Sequence, residues 1–592
     1  MTIAPPLPPG LLGCKAAGPE MIANLDHWAR RLGGQPECAT KGAFALWRFH
    51  DPLGGLRRFR EGALDVWLLG DLFSADPQTP LLDASDIAAA YRTEGHAWIW
   101  RLVGQFALVL WDGARNELAL YRDDSSTRSL YYHALSNGGL VFSDRLDLLV
   151  ACPLVPRRLS ANGLHEYLRF LDISSPNTIY DAVASTEPGR LCVHGRHGLH
   201  YRERPAPEAG AIASWTLDEA AAELDLHLAR AVASRIRDSD SIVTFLSGGV
   251  DSAYLCTLAS VQHTGPLTAL TVGFSDPVLD ESAIAARIAA YLGIRHRVLR
   301  FSLPEYRAAF EELAARSEYP FADPAGLPSL LAFRAARDFS NVALDGTGAD
   351  TLLGIMPARH QRIAVQYAAR LPYPVRQSIA QLMARLPWFR DYRALLDFGD
   401  AEEVLIRWQG FSRRDLEFLC GRSVSLADTR FYRVFRGFPR AAHFDRYSAL
   451  LSHLPDDRIH VTANLTGLRV RFPFFDPTVE QCVRAMDLDV RYQAGEHKHV
   501  LKQALARRMP RAIWDLPKHG FDFPFDALLA DADCSLVRQV MDPDAMQRLG
   551  CARSLDFLQT MRGFIAGDRR QRFRVWALTV LAAWLIAHDV SA

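Results

Sequence analysis

Positions 247–252, SGGVDS, place two hydroxyls, two glycines and a carboxylate directly after the apolar run IVTFL. Gly248 and Gly249 let backbone N–H groups face outward and approach an anion closely. A helix beginning just beyond adds partial positive charge. Ser247 and Ser252 can donate hydroxyl hydrogen bonds to phosphate oxygens. Asp251 is the odd member, because a carboxylate beside phosphate repels unless a cation lies between them. Mg²⁺ takes carboxylate and phosphate oxygens together, so the stretch reads as a nucleotide-phosphate loop that carries a metal ligand. It is not a Walker A loop, since no Gly-Lys-Ser/Thr follows. A second turn, LDGTGADTLLG (344–354), frees the backbone at Gly346 and Gly348 and offers Asp350 as a second carboxylate. Alone it could equally be a glycine turn with a capping Asp; paired with the first loop it reads as the other half of a metal site.

Such loops need strands that end together. The residues around 241–246, LTALTVGF (267–274) and NVALDG (341–346) predict strands. Between them lie helical patterns, including ESAIAARIAAYLG, with Ile284, Ile288 and Leu292 on one face and Gly293 as its stop. Alternating strands and helices predict a parallel sheet with its ligand at the strands' carboxyl ends. From 355 to 592 the pattern is mainly helical. From 41 to about 200 it differs: FALVLWD, ELALYRD, LYYHAL and GLVFSD are short strand-like runs, separated by the turns DGARN and SNGG. They predict an antiparallel meander with helices at 84–94 and 160–171. Residues 1–40 start Pro- and Gly-rich, which predicts a loose segment to about Leu25. RERPAPEAGAIAS (202–214) predicts the linker. The expected units are therefore 1–40, 41–205 and 206–592.

Composition narrows the class. A chain of 592 residues needs more than one core, and 49% hydrophobic with 23% charged residues is ordinary for a soluble globular enzyme. Lys+Arg and Asp+Glu are both 67, so no global basic field points to nucleic acid or an anionic membrane. The nine scattered cysteines show no CxxC pairing and suggest reduced thiols in a cytoplasm. MTIAPPLPPGLLG lacks the form of a secretory signal, and the apolar run Val575–Ala587 is too short to span a bilayer. That run predicts a buried helix.

The first loop resembles the pyrophosphate-binding loop of N-type ATP pyrophosphatases, and the ordered motifs together resemble the asparagine synthetase superfamily. In the N-terminal half these are RLVGQFALVLWD (101–112), YRDDSSTRSLYY (121–132), LVFSD (140–144) and EPGR (187–190). SGGVDS, DESAIAARIAAYLG, FADPAGLPS (321–329) and DGTGAD (345–350) follow, then GLRVRFPFFD (467–476), KHVLKQAL (498–505) and LPKHGF (516–521). The resemblance implies an α/β protein. Its N-terminal domain would be Ntn-hydrolase-like, of αββα type, and its C-terminal domain an ATP-pyrophosphatase (PP-loop) fold. It also implies that Leu246, Ser247, Gly248, Gly249, Asp251, Ser252, Val272, Asp345 and Gly346 contact ATP, with Val272 and Gly346 at the adenosine. Asp251 and Asp350 would hold Mg²⁺. Lys518 would stabilise charge that builds up in acyl-adenylate chemistry, a role to which a fixed cation is suited. His519 is either a proton carrier or structural.

Two departures shape the functional expectation. Glutamine-dependent members carry a catalytic Cys after the initiator Met, where this chain has Thr2 in a Pro-rich start, and Cys14 would need trimming to serve. LLGDLF (68–73) replaces the family's glutamine-binding segment, so the N-terminal domain is expected to release no ammonia. On the acceptor side Thr347 stands where asparagine synthetases have Glu and β-lactam synthetases Tyr, and Thr351 replaces a further Glu. Superfamily members without the Cys use an amine within the substrate and close a ring. The expected activity is therefore that of a lasso peptide macrolactam synthetase, acting on a precursor peptide alongside a leader-binding protein and a leader peptidase. The alternatives are a β-lactam or other small-molecule amide synthetase, an ammonia-dependent asparagine synthetase and, last, a non-catalytic scaffold.

Overall fold

Apolar runs whose successive side chains point to opposite faces build two antiparallel sheets from the N-terminal half, and most of their residues are buried on both faces. The strands are β1 (Gly10–Lys15), β2 (Gln35–Thr40), β3 (Phe44–Phe49), β4 (Leu56–Glu61), β5 (Leu64–Phe73), β6 (Val103–Asp112), β7 (Glu117–Arg122), β8 (Tyr131–Ala134), β9 (Leu140–Ser143), β10 (Ala184–Ser185), β11 (Arg190–Gly195) and β12 (Gly198–Glu203). One sheet has the order β10-β8-β9-β1-β3-β2, the other β12-β11-β7-β6-β5-β4. This computed structural model describes residues 10–15, 18–40, 43–49, 56–74, 82–123, 128–173, 175–205, 212–320, 322–353, 367–386, 396, 410–411, 416, 457–492, 496–516, 523–549 and 555–590.

The layers follow from the alternation. Trp67, Leu69, Val109 and Trp111 of one sheet meet Phe44, Leu46 and Phe142 of the other in a core between the sheets. On the outer face of the first sheet, helix α1 (Pro19–Arg31) sets Ile22, Leu25 and Ala29 beside Trp47 and Phe49. Helix α2 (Ala84–Glu94) covers the other, packing Ile87 and Ala88 on Val66, Leu68, Leu108 and Leu110. Asp83 and Asp86 start α2 with a capping box, which explains its agreement with the expected 84–94. Helix α3 (Ala161–Phe170) matches the other expected helix, and the αββα order is met.

The loose segment expected over 1–40 is corrected for its described part. β1 lies inside a sheet, paired with β3 on one side and β9 on the other. The proline-rich composition hides Leu11, Leu12 and Cys14, all buried. The expected linker also begins late, since β12 runs to Glu203.

The C-terminal half holds β13 (Ile242–Phe245), β14 (Leu267–Gly273), β15 (Arg295–Arg300), β16 (Val342–Leu344) and β17 (Arg469–Arg471), all parallel. Their order is β15-β14-β13-β16-β17. The chain thus winds away from β13 in both directions, which opens a crevice at the carboxyl end of β13. Helices α4 (Leu217–Ile236), α5 (Val250–Gln262) and α6 (Ser282–Leu292) cover one face, and α7 (Gly326–Ala336) the other. Short α8 (Ala349–Leu353) follows β16, α9 (Asp457–Thr466) joins α7, and α10 (His499–Ala506) joins α4. Strands β15 and β17 were not expected: both are short and Arg-rich, at the sheet edges where a strand need not be apolar. The apolar run near the C-terminus is the buried helix α11 (Arg572–Ala587), whose Ala577 carbonyl accepts from Tyr167 Oη of α3 at 2.9 Å. Among the described residues no helix is long and apolar enough to cross a membrane.

Candidate active site

The first loop leaves β13 with Leu246 pinned through both of its backbone groups. Leu246 N donates to Leu270 O at 2.8 Å, and Thr271 Oγ1 donates to Leu246 O at 2.5 Å. Ser252 Oγ then accepts from Ser247 N at 3.0 Å, and Ser247 Oγ accepts from Gly249 N at 3.0 Å. The two hydroxyls also bond each other, so they brace the turn from within. Gly248 N donates to Glu281 Oε2 at 2.9 Å, and a Cβ on Gly248 would lie 3.2 Å from Ile284. A methyl there would press on Ile284 and Glu281. Gly249 sits at the N-cap of α5, whose first turn carries Asp251.

The second loop leaves β16 and is tied to β17. Asp345 N donates to Arg471 O at 3.0 Å. Asp345 Oδ1 accepts from Thr347 N at 2.8 Å and from Thr347 Oγ1 at 2.5 Å. Gly348 has φ +99, and a Cβ on it would come within 3.0 Å of Phe474. At Gly346 a Cβ would lie 3.2 Å from Asp251 Cβ, so the two loops touch there. Asp350 stands in the first turn of α8.

A residue not chosen from the sequence joins the loops. Lys498 Nζ donates to Asp251 Oδ2 at 2.5 Å and also pairs with Asp350 Oδ1. Burial works against its charge, yet the two carboxylates outweigh this and hold its pKa above the usual lysine value. Lys498 is the N-cap of α10 with φ 55, a left-handed conformation. A cation at a helix start opposes the helix dipole, and that anomaly within KHVLKQAL was the available signal.

A cavity of about 210 Å³ opens between the loops. Leu246, Ser247, Asp251, Ser252, Val272, Asp345, Gly346 and Asp350 all line it, joined by Thr347 and Glu281. Its deeper wall is apolar, with the rings of Phe245 and Phe333 stacked 5.0 Å apart. Gly248 and Gly249 belong to the same loop but do not line it. Lys518 and His519 lie outside the described residues. One apolar wall facing carboxylates, hydroxyls and backbone amides suits a nucleotide. Two carboxylates drawn to a single cation are the oxygen donors Mg²⁺ prefers. Among the described residues no group of three protein ligands forms, so such an ion would complete its shell with phosphate oxygens and water.

Among the described residues of the N-terminal domain no comparable apparatus surrounds a thiol. Cys14 is buried mid-strand in β1, and burial pushes its thiol up to about 12. LLGDLF is part of β5, and its Asp71 turns to Arg471, 3.1 Å away in the other domain.

Comparison with known proteins agrees with this division. Residues 223–586 match the family model described as asparagine synthase, and residues 81–203 match the glutamine amidotransferase domain. Asparagine synthetase 1 of Bacillus subtilis, named as glutamine-hydrolyzing, is 23% identical over 536 residues, 87% of this chain and 82% of the relative. A Mycobacterium tuberculosis protein assigned as a glutamine-hydrolyzing asparagine synthetase is 27% identical over 468 residues, 75% of this chain and 70% of the relative. Amidase chry2 of Gibberella zeae is 28% identical over 330 residues, 52% of this chain and 48% of the relative.

Proposed function

From the premise that this chain belongs to the asparagine synthase family and is an asparagine synthetase-like, ATP-dependent amide-forming ligase, we propose that it closes a macrolactam ring in a precursor peptide. A side-chain carboxylate of an Asp or Glu attacks the α-phosphorus of ATP, forming an acyl-adenylate and releasing pyrophosphate. The peptide's α-amine, freed by removal of a leader, then attacks the acyl carbon. The tetrahedral adduct loses a proton and expels AMP, leaving an isopeptide bond.

Asp251 and Asp350 would hold Mg²⁺, which supplies charge neutralisation at the phosphates. Loop 246–252 seats the triphosphate, and Val272 and Gly346 face the adenosine. Lys498 keeps the two carboxylates together and stands beside the phosphates. Lys518 would meet the charge that develops at the adenylate. The rest is positioning: ring closure needs the amine and the acyl carbon held in line.

The observation that supports intramolecular amine capture is a contrast between the two domains. The nucleotide side is assembled, whereas the six cysteines whose side chains are described are all buried. With none of those described thiols accessible, the amine is taken to come from the substrate or from free ammonia. The relatives' names favour asparagine synthesis as the second reading, here with free ammonia in place of the glutamine that those names specify. Thr347 speaks against it, because a hydroxyl hydrogen-bonded to Asp345 accepts no proton near neutral pH. The ring-closing reading carries a leader-binding protein and a leader peptidase as partners, the cytoplasm as its place, and no nucleic acid.

The test is incubation with ATP, Mg²⁺ and either a leaderless precursor peptide or aspartate with ammonia. Pyrophosphate and AMP, together with a peptide 18 Da lighter by loss of water, are the expected products. Turnover of aspartate and ammonia with no peptide cyclisation defeats the ring-closing reading.

A further inference from the structure

Beyond that reaction, but resting on the same nucleotide site, the geometry points to Gln105 of the N-terminal domain as a positioning residue for the Asp345–Asp350 loop. Among the described residues, edge strand β17 pairs only with β16 within its sheet. In a parallel pair, alternate residues turn their N–H and C=O toward the neighbour, and those between turn away. Arg469 N donates to Asn341 O at 2.9 Å, and Arg471 O accepts from Asp345 N at 3.0 Å, so 469 and 471 face β16. Val470 O and Phe472 N face outward. The buried Gln105 side chain takes both: Nε2 donates to Val470 O at 3.0 Å, and Oε1 accepts from Phe472 N at 2.9 Å. One amide from β6 thus completes the sheet edge as a further strand would.

The contact chain runs on into the site. Arg471 holds Asp345 by backbone, and Phe474 and Phe475 pack under Gly348. Asp71 of β5 adds its carboxylate to Arg471 and Arg469, at 3.1 and 3.4 Å. Arg471 in turn is buried and bonded to Asp238 at the end of α4. The N-terminal domain therefore grips the strand to which the second metal-binding loop is tied. Gln105 touches neither the loop nor the cavity, so it acts through β17.

Hydrogen exchange of the full-length chain, read by mass spectrometry, tests this beside pyrophosphate release. In Gln105→Ala, amides of 342–350 and 469–476 should exchange faster than in the parent. Pyrophosphate release should fall about 10- to 100-fold, and the Mg²⁺ concentration giving half-maximal rate should rise. Gln105→Glu keeps the acceptor for Phe472 N and loses the donor to Val470 O, so it should fall between the two. If Gln105→Ala does not fold, Gln105→Glu carries the comparison alone. A folded variant with parental exchange in both segments overturns the proposal, as does faster exchange with an unchanged rate and Mg²⁺ dependence. If the parent releases no pyrophosphate with any acid, the reaction reading fails by itself, and the exchange measurement still decides the role of Gln105.

Discussion

Lys498 and Asp251, 247 positions apart in the chain, meet at 2.5 Å across the mouth of the crevice. Asp350 joins the same ammonium from the opposite loop. Without that cation two carboxylates would face each other beside a triphosphate. Lys498→Met keeps most of the stem and removes the charge. Pyrophosphate release should fall about 10²-fold or more, as expected where a fixed charge meets developing negative charge. A steady-state pyrophosphate assay at saturating ATP checks this, and a rate within a factor of about three of the parent would place Lys498 outside the chemistry.

Two glycines in the second loop should fail in different ways. Gly348 has φ +99 and packs against Phe474, so Gly348→Ala adds both strain and a clash. Loss of about 1–3 kcal/mol of stability is expected, read from denaturant melts. Gly346 carries no such φ, and its added methyl would press on Asp251 Cβ from 3.2 Å. Gly346→Ala should leave the melt nearly unchanged and lower the rate about tenfold by spreading the loops. A melt shift in Gly346→Ala as large as in Gly348→Ala would contradict this assignment.

The legible part of the site was the part whose chemistry is local. SGGVDS and DGTGAD announce themselves because glycines, hydroxyls and carboxylates at a strand end have few other uses, and seven of their residues line one cavity. Lys498 was not legible as a partner, since its meaning depends on two carboxylates brought in by other elements. β17 escaped for the same reason: RVR becomes a strand only because β16 pairs with it and Gln105 seals its other edge. β1 was misread because prolines at its start suggest mobility, whereas the burial of Leu11, Leu12 and Cys14 is fixed by two neighbouring strands. The two sheets and α2 were plain, as short apolar runs between turns and a capping box are written within single segments.

Acid should loosen the seam around α4. Asp476 is buried, which alone would raise its pKa, but Arg235 at 2.8 Å and Thr478 hold it below the usual aspartate value. Asp238 is held low in the same way, against its burial, by Arg471. Burial pulls Arg235's own value down, yet an arginine stays charged across this range, so the aspartates carry the titration. With depressed folded values, the unfolded chain binds more protons, and stability rises with pH. The contribution is complete above the ordinary aspartate value of about 3.9 and is lost as pH falls through the lower folded values. Melting temperatures from pH 6 to pH 3 should therefore drop on the acid limb, and Asp476→Asn should flatten that limb while lowering the plateau.

Cys14 offers the sharpest separation of the two domains' roles. It lies in β1 between β3 and β9, buried, with its thiol pushed up to about 12 by that burial and by Cys152 nearby. A thiolate is the nucleophile in any amidohydrolysis by cysteine, and near neutral pH this group holds almost none. Cys14→Ala should therefore leave pyrophosphate release unchanged. It should cost about 1 kcal/mol of stability through the small cavity left beside Leu12 and Val141. Neither the parent nor the variant should release ammonia from glutamine in a coupled glutamate dehydrogenase assay. Ammonia release by the parent that disappears in Cys14→Ala would show that β1 opens to expose the thiol, and the amine would then have a source inside the protein after all.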